Sequence, residues 1–404
     1  MTLASASNDA MSSDPVVDFN VYNPDQTGIG HDESWLALRD QSPGIIWTTA
    51  NGGHWIATRG DLIRSIYADY EHFSSRQLMV PKQFAISQLI PVGADPPDHL
   101  QYRHLVNKIF SPAAVKKLGV FIRAFTRELI DRIEPRGQCD FWEEFAKELP
   151  IAVFFKLANF PIEDREKLVT FMDMLLHPES LADQQAAFAG CAEYLAPLFE
   201  ERRKNPGEDL LSAIAAGEVF GRPVTNDEAV NMGTSFIIGG LDTVLSLMSF
   251  TMNYLAGDVA LRHLLRDEPD RIPDAVEEFC RRFPIGVSTR LIRDDYELDG
   301  VQLKGGDLIT LPQILHAFDP AEYPDPLKVD IERATGGYST FGHGIHRCPG
   351  SFLGKYELRI LLEEWLPRIP DFEVEAGFEV VITPGITSAI RHLPLRWAAR
   401  PQGN

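Results

Sequence analysis

The sequence predicts a mainly α-helical protein with a minor β portion. Three observations carry that expectation. Apolar residues recur at helical spacing through most of the chain. Alternating β-branched and aromatic runs are confined to 45–59, 289–311 and 371–397. No fixed-period repeat, low-complexity tract or Gly/Ser linker divides the chain. A length of 404 residues allows roughly two or three domains, but without linkers a single compact unit is expected.

The helical pattern runs in order over 33–41, 59–70, 99–109, 113–133, 141–158, 162–176, 183–205, 209–216, 226–255, 258–268, 273–283 and 351–369. Two helix starts are well marked. Thr225 and Glu228 make a capping box at the head of the most apolar segment, and Pro273 sits where a first helical turn tolerates proline. Pro284 then closes that second helix. Residues 1–20 lack the basic start and apolar core of a signal peptide and read as a mobile polar leader to a unit spanning 21–404. The stretch 232–255 reaches membrane-spanning length but carries Asp242 at its centre, so it is expected to be a buried core helix, with no membrane partner.

The net charge of −20 argues against a nucleic-acid binder, because neutralising phosphates needs a basic face. Four cysteines, Cys139, Cys191, Cys280 and Cys348, are widely spaced with no CxxC pair. That pattern suggests neither a zinc ribbon nor a disulfide scaffold and fits a reducing, cytoplasmic home.

Cys348 stands apart, between a Gly- and His-rich loop and a proline, in "FGHGIHRCPG" (341–350), just before a long helix. It reads as an inert buried thiol, a nucleophile or a metal ligand. His343 or His346 could act as base for a nucleophile, but no triad or oxyanion pattern completes it. Zinc needs four converging ligands, and this loop supplies at most three. What is left is one thiolate on a metal held largely by something else, and haem fits because the porphyrin supplies four nitrogens. Gly342, Gly344 and Gly350 would let backbone pass close to a flat macrocycle, and amides after Cys348 could hydrogen-bond the sulfur. The absence of CxxCH points to non-covalent haem.

Phe341, Gly344, His346, Cys348 and Gly350 match FxxGxHxCxG, and on these residues the chain resembles the cytochromes P450. Further matches extend the resemblance from about residue 70 to the C-terminus. Glu278 and Arg281 in "EFCR" match the ExxR element, with Arg333 as its third member. His99 and Arg103 in "DPPDHLQYR" match the HxxxR element that binds haem propionates, and Arg290 and His346 occupy the remaining propionate positions. Phe341 is expected to pack near the ring. The resemblance implies the triangular-prism P450 fold in one domain, haem b (iron protoporphyrin IX) and Cys348 as its axial ligand.

The segment "SFIIGGLDTVLS" (235–246) puts two glycines, an acid and an alcohol inside an apolar helix, each locally unfavourable. Taken alone it reads as a helix packed closely at Gly239 and Gly240, with Asp242 in a salt bridge. The resemblance implies instead that Asp242 relays protons and Thr243 holds a water where O2 is activated.

"GGLDTV", "DYEL", "FGHG" and "LPL" with its following tryptophan look like the camphor hydroxylase subfamily of soluble bacterial P450s. That implies a cytoplasmic monomer fed by a [2Fe-2S] ferredoxin and an NADH-dependent reductase, docking on Arg103, His104, Lys108, Lys116, Lys117 and Arg347. Three departures alter the expectation. The segment 78–93 lacks the camphor enzyme's tyrosine and has Ser87 near that position; Pro349 replaces a leucine; Ser288 replaces an aspartate near the propionates, and His177 stands in for the usual basic partners of Asp242. A pocket of Met79, Ser87, Leu89, Ser235, Ile238, Gly286, Ile386 and Thr387 would suit a small lipophilic substrate, a terpenoid or norisoprenoid such as an ionone, better than camphor. The competing readings are a peroxide-driven peroxygenase, whose branch usually lacks the acid-alcohol pair, and a haem-based sensor or ligand carrier, which needs no proton relay.

Overall fold

The computed structural model describes residues 16–42, 44–84, 89–176, 180–334 and 336–399. Residues 1–15 of the expected leader, Ser87 and His177 lie outside these.

Helices dominate, as the apolar spacing predicts. The long ones are His31–Gln41, Pro112–Ile133, Glu148–Ala158, Arg165–Leu176, Leu181–Lys204, the successive pair Asn226–Leu241 and Thr243–Gly257, Ile272–Arg282 and Ser351–Trp365. The β portion lies where alternation placed it and in a few two- or three-residue pieces besides. A six-stranded mixed sheet runs in the order Val16–Val17, Ile45–Thr48, His54–Ala57, Leu308–Pro312, Val287–Ile292, Phe73–Ser74. Its antiparallel centre sets Arg290 opposite Ile309. Gln138–Asp140, Pro394–Trp397 and Phe372–Val374 form a second small sheet, and most of the run between 375 and 393 stays irregular.

Two expected helices are interrupted, each for a local reason. In 141–158 the π-turn Trp142–Ala146 precedes Glu148–Ala158. Pro150 has no N–H for the carbonyl four residues back, and Lys147 instead donates to Trp142 O at 2.9 Å. In 226–255 the helix breaks at Asp242 (φ −125°, ψ −36°). The Thr243 hydroxyl bonds Gly239 O at 3.2 Å, next to two glycines, and Asp242 O is shared between the Ser246 hydroxyl at 3.2 Å and a long ladder bond from Ser246 N at 3.4 Å.

The caps behave as read. Thr225 Oγ1 accepts from Glu228 N at 3.2 Å, and Glu228 returns the bond to Thr225 N at 2.8 Å. Arg222 against Glu228 holds that carboxyl down to about 2. By length and composition 226–257 could cross a bilayer, yet its apolar residues are spent inside the molecule. Ala229, Met232, Phe236, Ile237 and Leu241 pack with Phe154, Phe155 and Phe199. Leu245, Met248 and Met252 pack with Phe279, Leu361 and Trp365.

That second group surrounds the base on which the cysteine loop stands. Beside it, Glu278 and Arg281 are fully buried and paired twice at 2.8 Å. Arg333 Nε lies 3.4 Å from the same carboxylate. The remaining guanidinium donors go to main-chain carbonyls: Arg281 to Ala317, Pro326 and Lys328, Arg333 to Pro324 and Asp325. Removing one partner of such a pair strands a buried charge, at about 3–5 kcal/mol.

Candidate active site

Phe341 to Gly350 forms a tight loop closed by Cys348 N donating to Phe341 O at 2.8 Å. Gly342 and Gly344 both have left-handed φ, +66° and +65°. A Cβ on Gly344 would stand 3.1 Å from Tyr67 O, so this glycine admits neighbouring backbone rather than a ligand, contrary to the sequence expectation. A Cβ on Gly350 would meet only Cys348 Sγ, at 3.7 Å.

Cys348 is crowded by protein and yet accessible to solvent, the combination of a group lining an internal cleft; Cys139, Cys191 and Cys280 are buried. Burial pushes its thiol up, while the Gly350 amide, Arg103, the Ser351 amide and Arg347 pull it down. The thiol also precedes the N-terminus of Ser351–Trp365, whose dipole favours a thiolate. His343 turns away, its Nε2 3.1 Å from Ser339 Oγ, so it is no base for Cys348. Among the described residues no three His, Cys, Asp or Glu side chains converge on a metal. Phe341 carries the Lys355 ammonium 5.9 Å from its ring, and Lys355 pairs with Glu277 at 2.7 Å.

The expected propionate residues come together. His99 is 1% exposed and its ring lies 4.1 Å from that of His346. Neither His99 nitrogen, nor His346 Nε2, has a hydrogen-bond partner. Burial, then Arg290, His99 and Arg103, holds His346 down to about 2; burial and Arg103 hold His99 down to about 4. Buried Arg290 donates to Thr289 O at 2.8 Å and lies 5.2 Å from the Tyr67 ring. Arg103 reaches Arg347 O at 2.6 Å and Asn107 Oδ1 at 3.1 Å. The nearest acid, Asp95, is already engaged by Ser74, Ser75 and Arg293. Buried donors without an acceptor fit an anionic ligand with two carboxylates, as haem has. Ser288 accepts from the Tyr67 hydroxyl at 2.8 Å, so Tyr67 fills the neighbourhood of the missing aspartate, a role no local motif announced.

The two glycines of the central helix pair divide their work. A Cβ on Gly240 would lie 2.5 Å from the Phe154 ring, so that glycine is required for packing. Gly239 would meet nothing within 4 Å and is exposed. Val244, next to Thr243, would touch a Cβ on Gly354 at 3.2 Å, which ties this helix to the one that follows Cys348. Asp242 is 3% exposed, and its partner is the Thr387 hydroxyl rather than a cation. Among the described residues, the salt bridge of the isolated reading is therefore replaced by a hydrogen bond from an uncharged hydroxyl.

Of the expected pocket residues, Met79, Leu89, Ile238 and Ile386 gather in one apolar cluster, joined by Leu78 and Phe188. Phe188 escaped sequence reasoning because it lies beside the buried stripe Gln184, Ala187, Cys191 and Leu195 of its helix. Gly286 bridges Thr387 at the pocket's edge. Ser235 is half-buried on Asn226–Leu241.

The family model described as "Cytochrome P450" matches residues 158–377. The chain is a cytochrome P450. The P450 is 31% identical to the probable cytochrome P450 127A1 of Sinorhizobium fredii, covering 89% of this chain and 88% of that protein. It is 30% identical to the cytochrome P450 monooxygenase PikC of Streptomyces venezuelae, over 96% of this chain and 95% of that one. Among solved structures CYP101J2 superposes with a TM-score of 0.90 at 37% identity, covering 98% of this P450 and all of that chain, and CYP101C1 with 0.89 at 36% over the same shares. As a P450 it is a haem b monooxygenase, an oxidoreductase, and its neighbours place it with the soluble camphor-hydroxylase-like bacterial P450s.

Proposed function

We propose that this P450 hydroxylates a small lipophilic terpenoid or norisoprenoid, taking electrons from a [2Fe-2S] ferredoxin as a cytoplasmic monomer. The observation that carries the substrate class is the pocket wall, which is hydrocarbon at Leu78, Met79, Leu89, Phe188, Ile238 and Ile386. Its nearby hydroxyl, Thr387, is already engaged by Asp242. Such a wall recognises shape and apolar area.

Cys348 would hold the haem iron through its thiolate, steadied by the Gly350 and Ser351 amides. His99, Arg103, Arg290 and His346 would hold the propionates, whose charge would satisfy the ring nitrogens of His99 and His346 that are otherwise buried without partners. Phe341 would pack beneath the ring. The chemistry supplied by bound haem is two-electron activation of O2 and insertion of one oxygen atom into an unactivated C–H bond. Asp242 would move protons inward from solvent, and Thr243 would keep a water hydrogen-bonded beside Gly239, where the helix ladder is open. Glu278, Arg281 and Arg333 take no part in the chemistry; they brace the segment that leads into the cysteine loop.

The test is a comparison of ligands on the purified holoenzyme. β-Ionone should give a larger low-to-high spin-state shift than camphor and, with ferredoxin, reductase and NADH, a hydroxylated product. The opposite ranking sinks the substrate assignment.

A further inference from the structure

The carboxylate of Asp242 and the hydroxyl of Thr387 come from elements 145 residues apart, and each is the polar neighbour of a pocket-wall side chain. On the helix, Ile238 lies one turn before Asp242; on the C-terminal loop, Ile386 immediately precedes Thr387. Ile238 and Ile386 belong to the same apolar cluster. A ligand seated between those two isoleucines therefore pushes on the two segments that carry the hydrogen bond.

The loop is anchored on its far side. Val287 N donates to Ile386 O at 3.2 Å, Ser388 N to Ile285 O at 2.8 Å, and Gly286 bridges Thr387 and exchanges bonds with Gln313. The helix side is the compliant one. Asp242 sits at the break between Asn226–Leu241 and Thr243–Gly257, next to Gly239 and Gly240, where the backbone ladder is already interrupted. With a rigid donor facing an acceptor on a flexible joint, it is the acid that turns.

We propose that Thr387 is a positioning residue that holds the Asp242 carboxylate against the substrate loop, and that substrate between Ile238 and Ile386 releases it. The pocket thereby controls when Asp242 is free to relay protons. A P450 that delivers protons with no substrate present spends NADH on water or peroxide, so such a latch couples reduction to occupancy. The inference rests on the reading of Asp242 as proton relay given above.

The experiment reads the acid directly. In the infrared spectrum of the substrate-free holoenzyme, the Asp242 band is identified as the one lost in Asp242→Asn. It should shift in Thr387→Val, which removes the hydroxyl while keeping the side-chain volume, and stay in place in Thr387→Ser. Adding β-ionone to the wild type should produce the same shift as Thr387→Val. The fraction of NADH that appears as product should fall severalfold in Thr387→Val and recover in Thr387→Ser. If the band ignores Thr387→Val while Asp242→Asn still uncouples turnover, the latch is wrong and the relay stands. If Asp242→Asn leaves coupling intact, both are wrong. A band unmoved by β-ionone that does change the spin state overturns the substrate control.

Discussion

Pro349 follows the thiol and has no amide hydrogen, so the sulfur draws on Gly350 and Ser351 alone. Each hydrogen bond withdraws electron density from a thiolate and raises the potential of the metal it binds. Pro349→Leu restores a donor next to the sulfur, and the reduction potential of the holoenzyme, measured by spectroelectrochemistry, should rise; an unchanged value means that no third amide reaches the thiol. Most of the site was legible at this scale where one residue type has one use. Cys348 announces itself because a lone thiol in a Gly- and His-rich loop has few structural roles, whereas His99 and Arg290 are legible only through the family resemblance. Thr387 did not. A threonine hydroxyl is satisfied almost anywhere, and only the fold shows that its partner lies 145 residues away.

Among the elements, the helix Ser351–Trp365 carries Glu357, which is buried and whose Oε2 has no hydrogen-bond partner. Burial pushes this carboxyl up to about 8 from 4.5. The folded protein thus holds a proton that the unfolded chain releases, so stability is undiminished below about pH 4.5, falls as pH rises to about 8, and stays lowered above that. Glu357→Gln should raise the melting temperature of the holoenzyme at pH 9 and do so much less at pH 5. Equal gains at both values would mean that the acid is paired in solution. Periodicity located this helix and nearly all the others, because a buried stripe repeats every turn. It missed the π-turn that ends at Lys147 and the break at Asp242, where local hydrogen bonding outweighs the pattern. It also missed strands as short as Phe73–Ser74, which are defined by their partners rather than by their own residues.

At the scale of the whole molecule, a chain of net charge −20 exposes His104, Lys108, Lys116 and Lys117 from two consecutive helices, close in sequence to Arg103, which holds Arg347 O. Under the proposed ferredoxin dependence, an acidic ferredoxin would be repelled by most of the surface and attracted here, so the local cations would set its approach. Lys108→Glu combined with Lys116→Glu should slow electron transfer from the ferredoxin by about tenfold or more at low ionic strength. The loss should shrink as salt screens both proteins, while the β-ionone spin shift is unchanged. A rate that ignores both substitutions places the docking face elsewhere.

The fully buried Glu278–Arg281 pair and its companion Arg333 have a consequence of another kind. Their outward donors end on the carbonyls of Ala317, Pro324, Asp325, Pro326 and Lys328, and Arg282 adds that of Leu327. A carbonyl is the one acceptor that every residue possesses. The clamp therefore grips the path of the chain through its backbone, so exposed side chains of 317–328 can change while the approach to Cys348 keeps its course, whereas the buried Phe318, Asp319 and Tyr323 are held by their own packing.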